Sequence, residues 1–262
     1  MTLPPCLPLQ KIEVYTTTNA MNMALGQRVR SISSSQEFSV LKRSLMAVEA
    51  PSSKALTAAD RWKKAKNNIV NDNKPFDSPS WQINRCTGLC VVGLGSFQDN
   101  EEKRMEQRQS QLALSLALHG LLLPSSSLTY IDPLFTHEDV LLLKELGGTA
   151  FPQVWDPQQV DASPLIYMPC CPRSLVALVL CDILSHRSNQ PVIGRTPVQP
   201  VAIIGNSFQT FVDSAFLCKD SIEELEATQE IERWMTLSRV REVPLPDIGG
   251  AHGVAISLHL IS

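Results

Sequence analysis

No apolar stretch in the 262 residues approaches the roughly 20 needed to span a bilayer. The longest, LALSLALHGLLL at 112–123, falls well short and reads as a core helix, so no membrane partner is expected. The seven cysteines are odd in number and lack framework spacing, which excludes a disulfide scaffold and suits buried or free thiols in a reducing compartment. Neither close pair makes a C-x-x-C: Cys86 and Cys90 have three residues between them, and Cys170 and Cys171 are adjacent. A zinc site would need the two pairs to meet in space, and no metal is assigned. The N-terminal MTLPPCLPLQ lacks a basic region leading into an unbroken apolar segment, so no secretory leader is expected. Residues 14–36 have no acid and carry Arg28 and Arg30, a faint transit-peptide character. Cytoplasmic and nuclear locations are expected ahead of mitochondrial import.

What is present fits one α/β domain with an appended arm. Apolar residues make up 44% and charged residues 19%, ordinary values for a folded chain. The net charge of −3 hides an asymmetry, since residues 1–80 carry +5 and the remainder −8. An acidic core repels phosphate backbones, which excludes a broad nucleic-acid surface, while the basic arm suits an acidic protein partner.

Residues 1–53 mix PPCLP, TTT and SSS with scattered apolar residues, and composition predicts a disordered or poorly ordered arm. Over 54–80, Leu56, Ala59, Trp62 and Ile69 have helical spacing, predicting an amphipathic helix followed by a linker broken at Pro75 and Pro79. Residues 81–262 alternate strand and helix. Four short β-rich runs, LCVVGL, SLTYIDP, PLIYMPCC and PVAIIGNS, are separated by helical segments, among them 101–122, the Thr136-capped THEDVLLLKELG, and PRSLVALVLCDIL with Pro172 at its start. Two more follow: FQTFVDSAFL, and SIEELEATQEIERWMTL with Ser221 and Glu224 spaced as a capping box. EVPLP and the alternating VAISLHLI predict a C-terminal edge hairpin. The expected fold is a three-layer Rossmann-like α/β domain, with a mostly parallel sheet and helices on both faces.

In such a sheet the segments following the strands meet at one edge, the usual ligand crevice. Four polar corners converge there: Gly93, Gly95 and Ser96; Asp132; Cys170 and Cys171; and Gly205, Asn206 and Ser207. The G-x-G pair is either a close approach for a phosphate or ribose, or a tight strand-to-helix turn, because position 98 is Gln where a third glycine would stand. Asp132 is placed to accept a ribose hydroxyl or to form an Asp-Pro turn. Cys171 is a small residue packed at a strand end, or a nucleophile if the following helix lowers its pKa. Ser207 is a helix cap or a ligand contact. The five histidines have no partner visible in sequence, so no catalytic residue is assigned.

CVVGLGSF, RQSQLALSLAL, TYIDPLFTHEDVLLLKELG, LIYMPCCPRSL and VAIIGNSF, in this order over about 86–211, resemble the Sensitivity to Red Light Reduced (SRR-like) family. REVPLPD is similar to fungal members. The resemblance implies a Rossmann-like domain and a regulatory role: circadian and light signalling in plants, cytoskeletal and haem-related regulation in fungi and animals, with no established reaction. The chain departs from the family pattern at Cys170, where relatives have histidine, and at Ala177, Leu178 and Cys181, where polar and aromatic residues are usual.

Two functions follow, with a cysteine-metal site trailing both. One is a regulatory interaction protein on a Rossmann-like scaffold. The other is an enzyme or sensor holding a nucleotide-like molecule or methyl donor at Gly93, Gly95, Asp132 and Asn206. No particular cofactor is identified.

Overall fold

The computed structural model describes residues 9–47, 83, 86–98, 102–160, 164–188, 201–215, 221–237, 239–246 and 255–261. Its seven strands are β1 (Gly88–Val92), β2 (Ser127–Ile131), β3 (Thr149–Phe151), β4 (Pro164–Met168), β5 (Val201–Asn206), β6 (Val240–Pro244) and β7 (Ile256–Ile261). They form one sheet in the order β3-β2-β1-β4-β5-β7-β6. The first five strands run parallel, and β7 lies antiparallel between β5 and β6.

Strands β1 and β4 are buried along their whole length, as a parallel strand covered on both faces must be. Alternate residues face opposite layers. Leu89, Val91, Leu165 and Tyr167 pack under α1 (Leu9–Ser34), α2 (Gln36–Ala47), α3 (Glu102–Leu122) and α4 (His137–Glu145). Cys90, Val92, Ile166 and Met168 pack under α5 (Arg173–Ser188), α6 (Phe208–Ser214) and α7 (Ile222–Thr236). From β1 the chain winds outward through α3, β2 and α4 to β3, then returns to β4 and winds the other way through α5. Winding direction therefore reverses between β1 and β4, opening a crevice at their carboxyl ends.

The structure adds three features to the sequence reading. A fifth parallel strand, β3, lies at the sheet edge, and its three residues are too few to show a period. The C-terminal pair β6 and β7 is the expected antiparallel hairpin at the sheet edge, with β6 outermost and β7 between it and β5. The polar residues Ser257 and His259 of β7 are buried because α6 covers their face, with Phe208 stacked on His259 at 3.5 Å between ring centroids. Within the arm, residues 9–34 and 36–47 form helices α1 and α2. Phe38, Leu41 and Leu45 recur at i, i+3 and i+7 and are buried in the main core, as is Leu25. The three-residue and four-residue spacing carries the packing, although Ser-rich surroundings mask it. Residues 54–80, expected to be an amphipathic helix and linker, lie outside the described residues.

If α2 belongs to the core, Leu41→Ala removes a fully buried side chain. The expected loss is about 2–5 kcal/mol of unfolding free energy, read from urea denaturation. A loss below about 0.5 kcal/mol would mean the arm does not pack as described.

Candidate functional site

The crevice is a cleft of about 410 Å³ at the carboxyl ends of β1, β2 and β4. Gly93, Gly95, Asp132 and Cys170 all line it. Three of the four polar corners named from the sequence contribute residues to this cleft.

Gly93 and Gly95 have φ of +75° and +77°, the left-handed region that disfavours side chains. A Cβ at Gly93 would collide with the Cys171 sulfur, and one at Gly95 would come within 2.7 Å of Arg108 Nε. Arg108 in turn donates to the Ser96 carbonyl. This corner is tied to the next by two buried carboxylates. Asp132 accepts the Gly95 N–H at 2.7 Å on one oxygen and the Leu134 N–H at 2.7 Å on the other. Asp139 accepts the Phe97 N–H at 3.0 Å and the Thr136 N–H at 2.9 Å. Asp139 is also the third helical residue of α4, and with Thr136 it completes a capping box. Four backbone donors from two loops thus converge on two carboxylates.

The third corner is built differently. Cys170 is the single non-glycine residue with positive φ among the described residues, at 51°, a conformation costing about 1–2 kcal/mol. Its sulfur accepts from Gln107 Nε2 at 3.4 Å and Gln111 Nε2 at 3.3 Å, both on α3. Burial pushes the Cys170 thiol up, outweighing the two amides that lower it. Cys171 is buried, and its thiol donates to the Val92 carbonyl at 3.2 Å. Burial raises it far above the ordinary range, helped by the charge of Asp132. The helix-lowered nucleophile weighed for Cys171 is thereby corrected: desolvation dominates, and the residue is a packed strand end. No group of three or more potential metal ligands occurs among the described residues.

The N-terminus of α5 borders the same cleft, but its amides are occupied. Glu224 of α7 accepts from Arg173 N at 3.0 Å, Ser174 N at 3.3 Å and Ser174 Oγ at 2.8 Å. Ser221 does cap α7 through the Glu224 N–H at 3.3 Å. The expected reciprocal half of that box is replaced by this reach across to α5.

The fourth corner stands at the same sheet edge but does not line the cleft. Ser207 caps α6 by accepting the Thr210 N–H at 3.2 Å. A Cβ at Gly205 would approach the Met168 carbonyl to 3.1 Å. The Asn206 carbonyl accepts the His259 Nε2 proton at 3.0 Å. Burial lowers the His259 pKa to about 4, against the raising influence of Glu242 and of the Asn206 carbonyl. Residues that sequence reasoning missed include Trp155, Gln107, Gln111 and Arg104, which line the cleft from α3 and the loop after β3. The helical period placed the glutamines on α3, but nothing in sequence marked which face of α3 meets the cleft.

A doubly wound α/β sheet with its cleft at the switch point defines a Rossmann-like protein. The SRR1 domain profile matches residues 52–248, and the chain belongs to the SRR1 domain family. No curated protein matches it in sequence. Among solved structures, a Corynebacterium glutamicum protein is similar at 15% identity over 68% of this chain and 73% of that one, with a TM-score of 0.37. The O-methyltransferase TomG from Streptomyces achromogenes, solved with SAM, shares 10% identity over 79% and 100%, with a TM-score of 0.38. An O-methyltransferase candidate from Klebsiella pneumoniae shares 13% over 85% and 90%, with a TM-score of 0.40. None of these likenesses bears on what the chain binds.

Two measurements test this site. Asp132→Ala and Asp139→Ala each orphan two backbone N–H groups and are expected to cost about 2–4 kcal/mol by chemical denaturation. The double variant should cost less than the sum, because the two loops part only once. Additive losses would mean the carboxylates act independently. For His259, the folded pKa lies below the ordinary 6.5. The unfolded chain therefore takes up a proton first, and stability present above pH 6.5 is lost as pH falls toward 4, by an amount on the order of 3 kcal/mol. His259→Gln keeps a donor for Asn206 and should flatten the pH profile in that window; an unchanged slope would assign it to other groups.

Proposed function

We propose that this SRR1-domain protein is regulatory, acts through a protein partner, and holds a small nucleoside-like organic molecule in its cleft as a sensor. The carrying observation is the position of the cleft. Three corners, at Gly93 to Gly95, Asp132 and Cys170, converge on the switch point of the sheet, where open α/β folds bind ligands. Cys170, the strained residue, sits on that wall, and backbone strain of this kind concentrates at functional sites.

Polyphosphates fit this cleft poorly. Its anion-binding positions, the glycine corner and the α5 N-terminus, already face Asp132, Asp139 and Glu224. A covalent enzyme also lacks support, since burial pushes the thiols of Cys170 and Cys171 up. A methyl-donor enzyme remains the second reading: β7 inserted antiparallel between β5 and β6 is compatible with methyltransferase-type sheets, by fold analogy alone. The Cys170 departure and REVPLPD support a divergent, fungal-type member.

A thermal-shift screen with adenosine, ATP, a methyl donor and aromatic carboxylates tests the reading. A binder at 100 times its Kd stabilises the fold by about 2.7 kcal/mol. Adenosine or the methyl donor is expected to outperform ATP. Failure of every probe would leave the core a scaffold and sink the sensor reading.

A further inference from the structure

Helix α3 turns one face to the cleft, with Arg104, Gln107, Arg108 and Gln111 at i, i+3, i+4 and i+7. All four side chains carry N–H donors and none is an acid. Yet this face belongs to a stretch, residues 81–262, whose net charge is −8. Among the described residues that line the cleft, three are charged: Arg104, Arg108 and Asp132. Asp132 is 4% exposed and its oxygens accept the Gly95 and Leu134 N–H groups, so the lining sums to a single positive charge with its carboxylate turned to the backbone. Arg108 donates to the Ser96 carbonyl, which pins its guanidinium at the wall. Arg104, one turn nearer the start of α3, is exposed. Like charges at i and i+4 repel each other, and an anion facing both relieves that repulsion. Around the same cleft, Leu134, Val154 and Leu178 are exposed to solvent although they come from three separate segments. Single exposed aliphatic residues need no explanation, but three on one rim form an apolar mouth.

We propose that the cleft takes an organic monocarboxylate of nucleoside size, with Arg104 as the group that meets the carboxylate. Arg108 adds its charge from the next turn, and Leu134, Val154 and Leu178 cover the apolar body of the molecule. The inference rests on the cleft being a small-molecule site and adds the charge and chemical class of the occupant. A guanidinium suits this task because its planar fork matches the two oxygens of a carboxylate. Charge balance sets the number of anionic groups. One negative group neutralises the lining, whereas the further charges of a polyphosphate would lie against Asp132 and the apolar rim, where removing them from water is costly. The cleft volume of about 410 Å³ is in the range of sites that enclose a small organic molecule.

The test uses the full chain and two matched pairs of probes, naphthalene-2-carboxylate against its carboxamide and adenosine-5′-carboxylate against its carboxamide. Within a pair the shape is kept and only the charge changes. Titration calorimetry on the wild-type protein should show, in at least one pair, the carboxylate binding about tenfold more tightly than the amide, the lower end for a charge-assisted hydrogen bond because Arg104 is open to water. In Arg104→Gln that preference should fall to near unity, and the exposed position leaves the core intact. Lys103→Gln removes the same charge from the neighbouring residue, which is not part of the lining, and should keep the preference. Equal binding of carboxylate and amide to wild type, a preference that survives in Arg104→Gln, or its loss in Lys103→Gln would overturn the carboxylate assignment alone. So would binding by the thermal-shift panel with none by either pair. If neither pair nor any member of the panel binds wild type, the small-molecule reading falls with it.

Discussion

Two carboxylates in the interior hold the working edge of this protein together. Asp132 and Asp139 are each almost wholly buried, and an ionised carboxylate in that position is tolerable only when hydrogen-bonded. Each finds one donor in the loop after β1 and one in the loop after β2. The pairing interlocks, with Gly95 and Leu134 on the first carboxylate and Phe97 and Thr136 on the second. Neither loop can move without exposing or orphaning groups belonging to the other. The floor of the cleft is therefore set by charge-assisted hydrogen bonds, which are shorter and stronger than neutral ones, and the apolar packing of β1 and β2 needs only to bring the loops within reach.

The same carboxylates change what a Rossmann-like edge can do. In open α/β sheets, the glycine corner and the following helix N-terminus commonly present N–H groups to an anionic ligand. Here the protein supplies its own anions, Asp132 and Asp139 at the corner and Glu224 at the start of α5. The backbone dipoles are satisfied before any ligand arrives. Local positive charge comes from Arg104 and Arg108 on α3, of which Arg108 already engages the Ser96 carbonyl. A neutral or weakly anionic molecule meets less opposition in this setting than a chain of phosphates.

Much of the architecture was legible because it follows from short-range rules. Fully apolar runs such as LCVV and PLIYM announce parallel strands, and Thr136 and Gly147 bracket α4 by capping chemistry. The direction of the parallel strands then placed Gly95, Asp132 and Cys170 on one edge before any coordinates. What stayed hidden depends on distant partners. Glu224 has the spacing of a local cap, yet its carboxylate reaches about fifty residues back in sequence to α5, which only the packing of α7 on α5 reveals. Ser257 and His259 look like the wet face of an edge strand until α6 covers them. Asp132 presented two roles, and the choice between them turned on which backbone amides arrive at its oxygens. Trp155 stands alone in a proline-broken loop, with no periodic neighbour to announce a wall.

The helices of the arm enter this picture through α3. One face of α3 supplies Gln107, Gln111, Arg104 and Arg108 to the cleft, and α1 packs along the same helix. Arg28 of α1 donates to Ser110 Oγ at 2.9 Å and stands 3.9 Å from Glu106, each adjacent in sequence to a cleft-facing side of the turn. The exposed ion pair contributes little. Leu25, Val29 and Ile32 matter more, since they form a stripe at helical spacing that joins the main core with Phe38, Leu41 and Leu45 of α2. These residues precede the segment matched by the SRR1 domain profile, which begins at 52. The helix that forms this wall of the cleft is thus packed by chain outside the domain match.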